Sequence, residues 1–321
     1  MTMRRLRAPI LAAAVTAVGG VAALAAVRCP TDEPAGSGLL QFGGREHAVA
    51  LDADAALGVN PLFTWGELEP ADDVYNWAPV DAVLTAAHRT GRKVAPRVYT
   101  NLADHGQGTP GWVFEAGAAS YTVAEWSSTL QPVPADPVFT REFEEFVAAF
   151  GARYDGHPAI EFVQTNAGMG AYGEMVWWLD EAHRPPGYSI AGHIETMEAW
   201  VDRWRAAFPS TPLVLMQNFI GEGISERVSA YAVDRGYYLQ SNSVELAREA
   251  AAILSAHDDR TRIILEVENN DCQGATGAEF DDLTRAAFSQ GFAIDYLMVC
   301  EQTLSDGTAA QRALAMLRST D

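Results

Sequence analysis

Ile160 to Trp178 reads IEFVQTNAGMGAYGEMVWW. The stretch begins with the apolar pattern of a buried strand and then breaks into a turn containing three glycines. The turn carries one carboxylate, Glu174, close to Tyr172 and Trp177. Aromatic faces stack on pyranose rings, and a carboxyl group can protonate a glycosidic oxygen. This strand and its loop therefore suit sugar chemistry, although a tight turn with a solvated surface acid would have the same pattern.

Strands and helices alternate on both sides of this stretch. Short apolar and β-branched runs predict eight strands, near residues 39–42, 59–65, 93–99, 160–165, 212–218, 237–242, 262–268 and 294–301. Apolar residues recur at helical spacing between them, most clearly in the phenylalanines of residues 139–150. The alternation predicts an α/β fold of parallel strands, and eight such units predict a (β/α)8 TIM barrel. An open, doubly wound sheet is the alternative, but no Gly-x-Gly-x-x-Gly turn opens a helix near the start.

The N-terminal region has the pattern of an export signal. Arg4, Arg5 and Arg7 precede an alanine-rich apolar run, Ala8 to Val27. We expect residues 1–25 to be a cleaved signal peptide, residues 26–38 a linker, and residues 39–321 a single barrel domain. The alternative is an uncleaved N-terminal membrane anchor, because the run is nearly long enough to span a bilayer. The expected protein is secreted and has no membrane contact after signal cleavage.

The acidic composition restricts the partners. The formal charge is −20, from 22 Lys and Arg and 42 Asp and Glu. A surface of this charge repels nucleic acid and anionic lipid. We therefore expect no nucleic-acid partner and a neutral substrate, while the oligomeric state stays open.

Three cysteines are too few for a disulfide scaffold. Cys272 and Cys300 lie near the ends of the last two predicted strands, so a Cys272–Cys300 disulfide is a hypothesis. No Cys-x-x-Cys pair and no His-Glu-x-x-His motif is present. We expect no metal site and no cofactor.

Polar and aromatic residues collect where the predicted strands end. The C-terminal ends of the strands form the active face of a TIM barrel. Amides and acids there can hydrogen-bond hydroxyl groups, and aromatic rings can stack on sugars. The candidate substrate-binding residues, for a neutral oligosaccharide or glycoside, are Trp65, Glu67, Arg97, Tyr99, Trp112, Asn166, Tyr172, Trp177, Asn218, Asn242 and Glu301.

The seventh predicted strand carries two further acids. In Ile264-Leu-Glu-Val-Glu268, alternation places Glu266 and Glu268 on one face of the strand. Acids in a low-dielectric barrel interior are costly unless they are paired or functional. The alternative is that both face the outer helices as part of ion pairs.

Several motifs resemble one family of barrels. They are WGELEPADDVYNW at 65–77, Lys93–Arg97 before a long loop, GAYGEM at 170–175, and Glu266 on strand seven. The chain resembles the secreted (β/α)8 glycoside hydrolases of clan A over roughly residues 58–303, especially the β-galactosidase-like barrels and their poorly characterised relatives.

The resemblance implies an acid/base glutamate after strand four and a second glutamate on strand seven. Glu174 and Glu266 match those places, and Glu268 is the rival nucleophile. Many members have Asn-Glu at the end of strand four, whereas Gly173 precedes Glu174 here. Asn166 is the candidate for the role of that asparagine.

The leading hypothesis is a secreted glycoside hydrolase that cleaves O-glycosidic bonds with two carboxylates, and we expect a retaining outcome. Glu174 would act as acid/base and Glu266 or Glu268 as nucleophile, with Trp65, Trp112 and Trp177 as stacking walls. Two alternatives come from other classes: a non-catalytic carbohydrate-binding barrel, and a scaffold or adhesion protein with an aromatic interface patch.

Overall fold

The structure is a computed structural model. It describes residues 37–43, 56–100, 107–122, 129–166, 184–217, 223–242, 244–267, 277–300, 304 and 307–318. The predicted signal peptide and most of the predicted linker lie outside these residues. The same holds for six candidate site residues: Tyr172, Glu174, Trp177, Asn218, Glu268 and Glu301.

Twelve strands are present in this described part of the chain. Two of them, β6 (Ser120–Tyr121) and β7 (Gln131–Pro132), form a small antiparallel ladder. The other ten form one sheet in which every pairing is parallel. They are β1 (Gly38–Phe42), β2 (Ala56–Asn60), β3 (Leu62–Thr64), β4 (Lys93–Val94), β5 (Arg97–Tyr99), β8 (Val163–Thr165), β9 (Leu213–Gln217), β10 (Tyr237–Ser241), β11 (Ile263–Glu266) and β12 (Tyr296–Val299).

The sheet closes into a barrel. Its order is β3-β5-β8-β9-β10-β11-β12-β1-β2-β4. β3 and β4 stand at the two ends of this order. β3 continues from β2, which lies next to β4, and β4 leads into β5, which lies next to β3. The two ends of the sheet therefore meet. The ten segments therefore occupy eight positions: β1 is position 1, β2 with β3 position 2, β4 with β5 position 3, and β8 to β12 positions 4 to 8. This arrangement confirms the predicted TIM barrel.

Two prolines explain why two positions are divided. Pro61 separates β2 from β3, and Pro96 lies between β4 and β5. Proline has no N–H group, so the hydrogen-bond ladder breaks at each of them. The prediction of one continuous strand over 93–99 is therefore wrong, because the strand is divided into β4 and β5. The predicted strand 59–65 begins earlier, at Ala56, and ends at Thr64, whose side chain caps a short helix.

Helices alternate with the strands on the outside of the barrel, as predicted. They are α1 (Trp65–Leu68), α2 (Ala78–Thr90), α3 (Gly111–Glu115), α4 (Pro137–Tyr154), α5 (Ile190–Ala207), α6 (Ile224–Val233), α7 (Val244–Ser255), α8 (Gly277–Phe288) and α9 (Gly307–Arg318). Local residues fix several ends. The Asp136 carboxylate caps the first turn of α4, and Gly91 ends α2 in the left-handed conformation. No helix in the described ranges is long and apolar enough to cross a membrane.

The largest aromatic cluster lies between the barrel wall and helices α4 and α5. Phe139, Phe143, Phe146 and Phe150 repeat along one face of α4, and all four are fully buried. Trp200 and Trp204 of α5 pack against Phe143. The phenylalanine spacing that predicted this helix is therefore its packing face.

The lower part of the barrel interior is apolar. The Phe162 ring, just before β8, lies 5.3 Å from the Tyr296 ring and 6.3 Å from the Tyr238 ring. These residues belong to positions 4, 8 and 6, which are not neighbours in the sheet, so their rings meet through the lumen. This layer fills the barrel below, and the polar side chains described next lie above it, toward the C-terminal ends of the strands.

Cys300 follows β12 directly, is buried, and is disulfide-bonded. Its partner lies outside the described residues. The Cys272–Cys300 pairing therefore stays a prediction.

Candidate active site

A layer of amide side chains crosses the middle of the barrel. Asn60, Gln164, Gln240 and Met298 come from positions 2, 4, 6 and 8, as expected for a TIM-barrel layer built from alternate strands. Asn60 Nδ2 donates to Gln164 Oε1 at 2.6 Å. Gln164 Nε2 donates to Gln240 Oε1 and lies 3.5 Å from Met298 Sδ. Gln164 is thus the centre of the layer.

The hydrogen bonds of this layer run in one direction. Asn60 Nδ2 also donates to the Ala95 carbonyl oxygen, which can only accept, so the orientation of the Asn60 amide is fixed. Gln164 then presents its oxygen to Asn60 and its nitrogen to Gln240. Gln240 in turn donates to Asn242 Oδ1 at 3.2 Å. Asn242, the acceptor of this last hydrogen bond, lies just after β10.

Arg97 lies against this layer and is held on several sides. Its Nε donates to Gln164 Oε1 at 2.9 Å, and its Nη1 donates to the Tyr99 hydroxyl at 2.8 Å. Its guanidinium lies 5.5 Å from the centre of the Phe42 ring and 5.3 Å from that of the Tyr99 ring. Only 2% of Arg97 is exposed. Protein groups surround the Arg97 side chain in the described part of the chain, and its role as a substrate-binding residue stays a prediction.

Glu266 is the ion-pair partner of Arg97. Its Oε2 lies 3.8 Å from Arg97 Nη2, and 2% of the residue is exposed. Glu266 ends β11 at position 7, whereas Arg97 begins β5 at position 3, on the opposite side of the ring. The two side chains can meet only through the lumen. Glu266 therefore faces the interior, and the alternative of an outward-facing ion pair is wrong for this residue.

Tyr99, Asn166 and Asn242 also lie at the C-terminal ends of their strands. Tyr99 is 2% exposed and its hydroxyl accepts from Arg97. The Asn166 side chain donates to the Val98 carbonyl, and the backbone carbonyl of Asn166 accepts from Trp204 Nε1 at 2.7 Å. These bonds tie the end of position 4 to position 3 and to α5. Substrate contacts by the three residues stay predictions.

Two tryptophans predicted as stacking walls have other surroundings. Trp65 is fully buried and packs on Phe143 of α4, with 5.1 Å between ring centres. In the described part of the chain its ring packs in the core outside the barrel, and its role as a stacking wall stays a prediction. Trp112 packs edge-on to Trp65 at 5.9 Å and donates to the Glu69 carbonyl at 3.1 Å. Trp112 is half-buried, so its predicted role stays open.

Glu69 lies next to Trp65 and Trp112. Its Oε2 accepts from Trp65 Nε1 at 2.7 Å, and its Oε1 accepts from the Asp73 backbone N–H at 3.1 Å. Burial raises the pKa of the Glu69 carboxyl to about 7, and the nearby charges of Asp72 and Asp73 act in the same direction. Carboxylate oxygens of Glu69, Asp72 and Asp73 lie within 4.8 Å of one another, although those of Glu69 already accept these two bonds. The predicted substrate contact of the neighbouring Glu67, half-buried in α1, stays a prediction.

Sequence reasoning missed several residues that build the interior. Gln164 was visible as the last residue of the predicted strand, and alternation with Asn166 would have placed it in the lumen. Asn60 is a polar residue in an otherwise apolar strand, which was a usable signal. Phe42 is half-buried and Met298 is buried, and no sequence pattern distinguishes them from other apolar residues of the strands.

Comparison with known proteins agrees with this geometry. Residues 56–210 match the model of glycoside hydrolase family 42, described as beta-galactosidase. A beta-galactosidase of Geobacillus kaustophilus is 26% identical over 111 residues, which are 33% of this chain. The chain spans only 16% of the length of the curated relatives it matches.

Solved structures show the same fold. The catalytic domain of a beta-amylase from Paenibacillus polymyxa superposes with a TM-score of 0.62 at 12% identity, covering 88% of this chain and 98% of that one. A beta-galactosidase from the psychrophilic Marinomonas ef1 gives 0.54 at 16% identity, covering 88% and 59%. Together with the family match, these results confirm the predicted resemblance to the β-galactosidase-like (β/α)8 barrels.

Proposed function

We propose that this protein is a secreted, retaining glycoside hydrolase in which Glu266 is the nucleophile and Glu174 the acid/base. One observation carries the proposal: the Glu266 carboxylate lies inside the barrel at the C-terminal end of position 7, paired with Arg97. Acids are rarely buried in a barrel unless they are functional or paired, and the C-terminal face is where TIM-barrel enzymes carry their chemistry.

Arg97 suits Glu266 to nucleophilic attack. A nucleophilic carboxylate must be ionised, and a nearby cation favours the ionised form. The guanidinium is held by Gln164 and Tyr99, so its charge stays in place while substrate binds. This pairing favours Glu266 over Glu268 as the nucleophile.

The proposed reaction has two steps. The Glu266 carboxylate attacks the anomeric carbon while Glu174 gives its proton to the leaving glycosidic oxygen, and the aglycone departs as an alcohol. The Glu174 carboxylate then takes a proton from water, whose oxygen attacks the anomeric carbon and releases Glu266. The two inversions give net retention, and neither step calls for a metal or a redox cofactor.

The substrate is proposed to be a neutral glycoside or oligosaccharide, with β-galactosides tested first. The curated relatives are named beta-galactosidases, and the formal charge of −20 disfavours anionic substrates. Export follows from the predicted signal peptide. Sequencing the N-terminus of protein recovered outside the producing cells would test it, and an intact Arg4–Arg7 segment there would contradict cleavage.

The decisive experiment compares Glu266→Gln, Glu268→Gln and Glu174→Gln on aryl glycosides. We expect Glu266→Gln and Glu174→Gln each to lower kcat by about three orders of magnitude or more, because each removes a group that reacts. Glutamine keeps the size of the side chain and its capacity to accept hydrogen bonds, so thermal unfolding should stay cooperative. Glu268→Gln, two residues further along the chain, is the matched control.

The stereochemical outcome is read by ¹H NMR of the first product anomer. A retained anomer together with azide rescue of Glu174→Ala supports the retaining mechanism. An inverted anomer would contradict it. Near-normal turnover of Glu266→Gln, with loss in Glu268→Gln, would transfer the nucleophile to Glu268. Binding of oligosaccharides without turnover by the wild-type protein would favour the carbohydrate-binding barrel.

A further inference from the structure

Gln164 hydrogen-bonds both Arg97 and the amide layer of the barrel interior. Its oxygen accepts from Arg97 Nε at 2.9 Å and from Asn60 Nδ2 at 2.6 Å. Its nitrogen donates to Gln240 Oε1. The residue is fully buried, so water does not compete for these bonds. One amide therefore links the Arg97–Glu266 pair to the amide layer below it.

We infer that Gln164 is a positioning residue that holds Arg97 against Glu266 and so keeps the proposed nucleophile ready for attack. The inference rests on the proposed function, because it concerns the readiness of the same carboxylate. It assigns no chemical step to Gln164.

The Arg97 guanidinium makes a long contact with the Glu266 carboxylate. Arg97 Nη2 is 3.8 Å from Glu266 Oε2, longer than a hydrogen bond, so the pair is held by charge and not by a close bidentate contact. The direction of Arg97 must therefore be set by its other contacts. These contacts include Gln164 on Nε, Tyr99 on Nη1, and the rings of Phe42 and Tyr99.

The amide itself is the group best suited to this position. Arg97 and Asn60 both present donors, so the facing atom must be an acceptor, while Gln240 presents an acceptor on the other side. Glutamine satisfies all three neighbours without adding charge. A carboxylate here would compete with Glu266 for Arg97, and an apolar side chain would leave Arg97 Nε without this acceptor.

Arg97 lies between Gln164 and the Glu266 carboxylate. Among the described residues, Arg97 is the cation paired with Glu266, and Tyr99 is the titratable group that touches Arg97. Gln164, Asn60, Gln240 and Met298 are neutral. A change at Gln164 therefore reaches Glu266 through the placement of Arg97.

The test compares Gln164→Met with Gln240→Met, a matched loss of one amide from the same layer. Gln240 contacts Gln164 but not Arg97 in the described structure. Two readouts are taken for each variant: the acidic limb of kcat/KM against pH, and the ¹³C titration midpoint of the Glu266 carboxyl, assigned by its loss in Glu266→Gln. In Gln164→Met we expect both to move to higher pH by about one unit, because the stabilising cation is no longer held in place.

Gln164→Glu is the second variant, and its similar shape keeps the Arg97 and Asn60 bonds if the methionine variant fails to fold. Its added charge should move the same two readouts upward, by about one to three units. An equal shift in Gln164→Met and Gln240→Met, or no shift in either Gln164 variant, would overturn the inference. A wild-type protein without turnover would instead count against the proposed function, and the NMR midpoints would still decide the role of Gln164.

Discussion

At the scale of single residues, Glu69 makes a prediction that does not depend on activity. Its carboxyl is buried, and burial raises its pKa from the usual value of 4.5 to about 7. The folded state therefore binds this proton more tightly than the unfolded state, so the Glu69 contribution to stability falls as pH rises from about 4.5 to about 7. The loss amounts to about 3 kcal/mol at most, since one pKa unit corresponds to about 1.4 kcal/mol.

Urea denaturation of the wild type and Glu69→Gln at pH 5, 6, 7 and 8 checks this expectation. The difference in the free energy of unfolding between the two should change in favour of the glutamine variant as pH rises to 7, and stay constant above it. Asp72→Asn is the control, because Asp72 is an exposed acid in the same turn. A difference that is flat from pH 5 to 8 would contradict the buried-acid interpretation.

Single residues also show how far the ends of strands can be predicted from the sequence. Glu266 was found because strand alternation and a cost of burial both apply to it. Trp65 was predicted to end a strand, whereas the chain turns into α1 at that residue and its side chain packs in the helix layer. A strand that ends one residue earlier than predicted changes the direction of every following side chain.

At the scale of elements, the contact between α4 and α5 depends on one small residue. A Cβ atom on Gly151 would lie 2.2 Å from the carbonyl oxygen of Ala207. We expect Gly151→Ala to lower the free energy of unfolding by about 1–3 kcal/mol, because the two helices must separate and their aromatic contacts loosen. This loss should exceed the gain in helix propensity of about 1 kcal/mol that alanine brings.

Gly111→Ala in α3 is the matched comparison, since no atom lies within 4 Å of the Cβ it would add. It should leave stability unchanged or raise it slightly. Equal thermal midpoints for the two variants would show that α4 and α5 do not approach closely at Gly151.

Helices and strands were predictable to different degrees. The face of α4 was readable because four phenylalanines repeat at helical spacing, and its start was marked by Asp136 and Pro137. The strands were found by their apolar runs, but the division at Pro96 was not, because flanking residues still have a strand pattern. Closure of the ring through β1 depends on long-range pairing that no local pattern encodes.

At the scale of the whole molecule, the third prediction concerns its covalent link. Cys300 is disulfide-bonded, and the predicted partner is Cys272. Alkylation of the denatured, unreduced protein should modify one thiol, Cys29, and all three after reduction. Reduction should lower the free energy of unfolding by about 3 kcal/mol, since the bond closes a loop of moderate length.

Peptide mass mapping identifies the pair directly. Cys29→Ser should leave no free thiol without reductant, and Cys300→Ser should expose Cys272 as a second one. A Cys29–Cys300 peptide, or three free thiols in the unreduced wild type, would contradict the pairing.

The candidate site was only partly predictable at this scale. Its location and the inward direction of Glu266 follow from the barrel, since the C-terminal ends of eight parallel strands meet at one face. The hydrogen-bonded amide layer below Glu266 could not be predicted in this way. Asn60, Gln164 and Gln240 come from three distant segments, and their contacts require the closed ring.

The closing seam of this ring also bears on how the chain folds. β1 pairs with β2 on one side and with β12 on the other, and Gly38 meets Tyr296 although roughly 250 residues separate them in the chain. During synthesis one hydrogen-bonding edge of β1 therefore stays unpaired until β12 has been made. Closing the ring is a late, non-local step, and until then the unpaired edge of β1 is open to pairing with other chains.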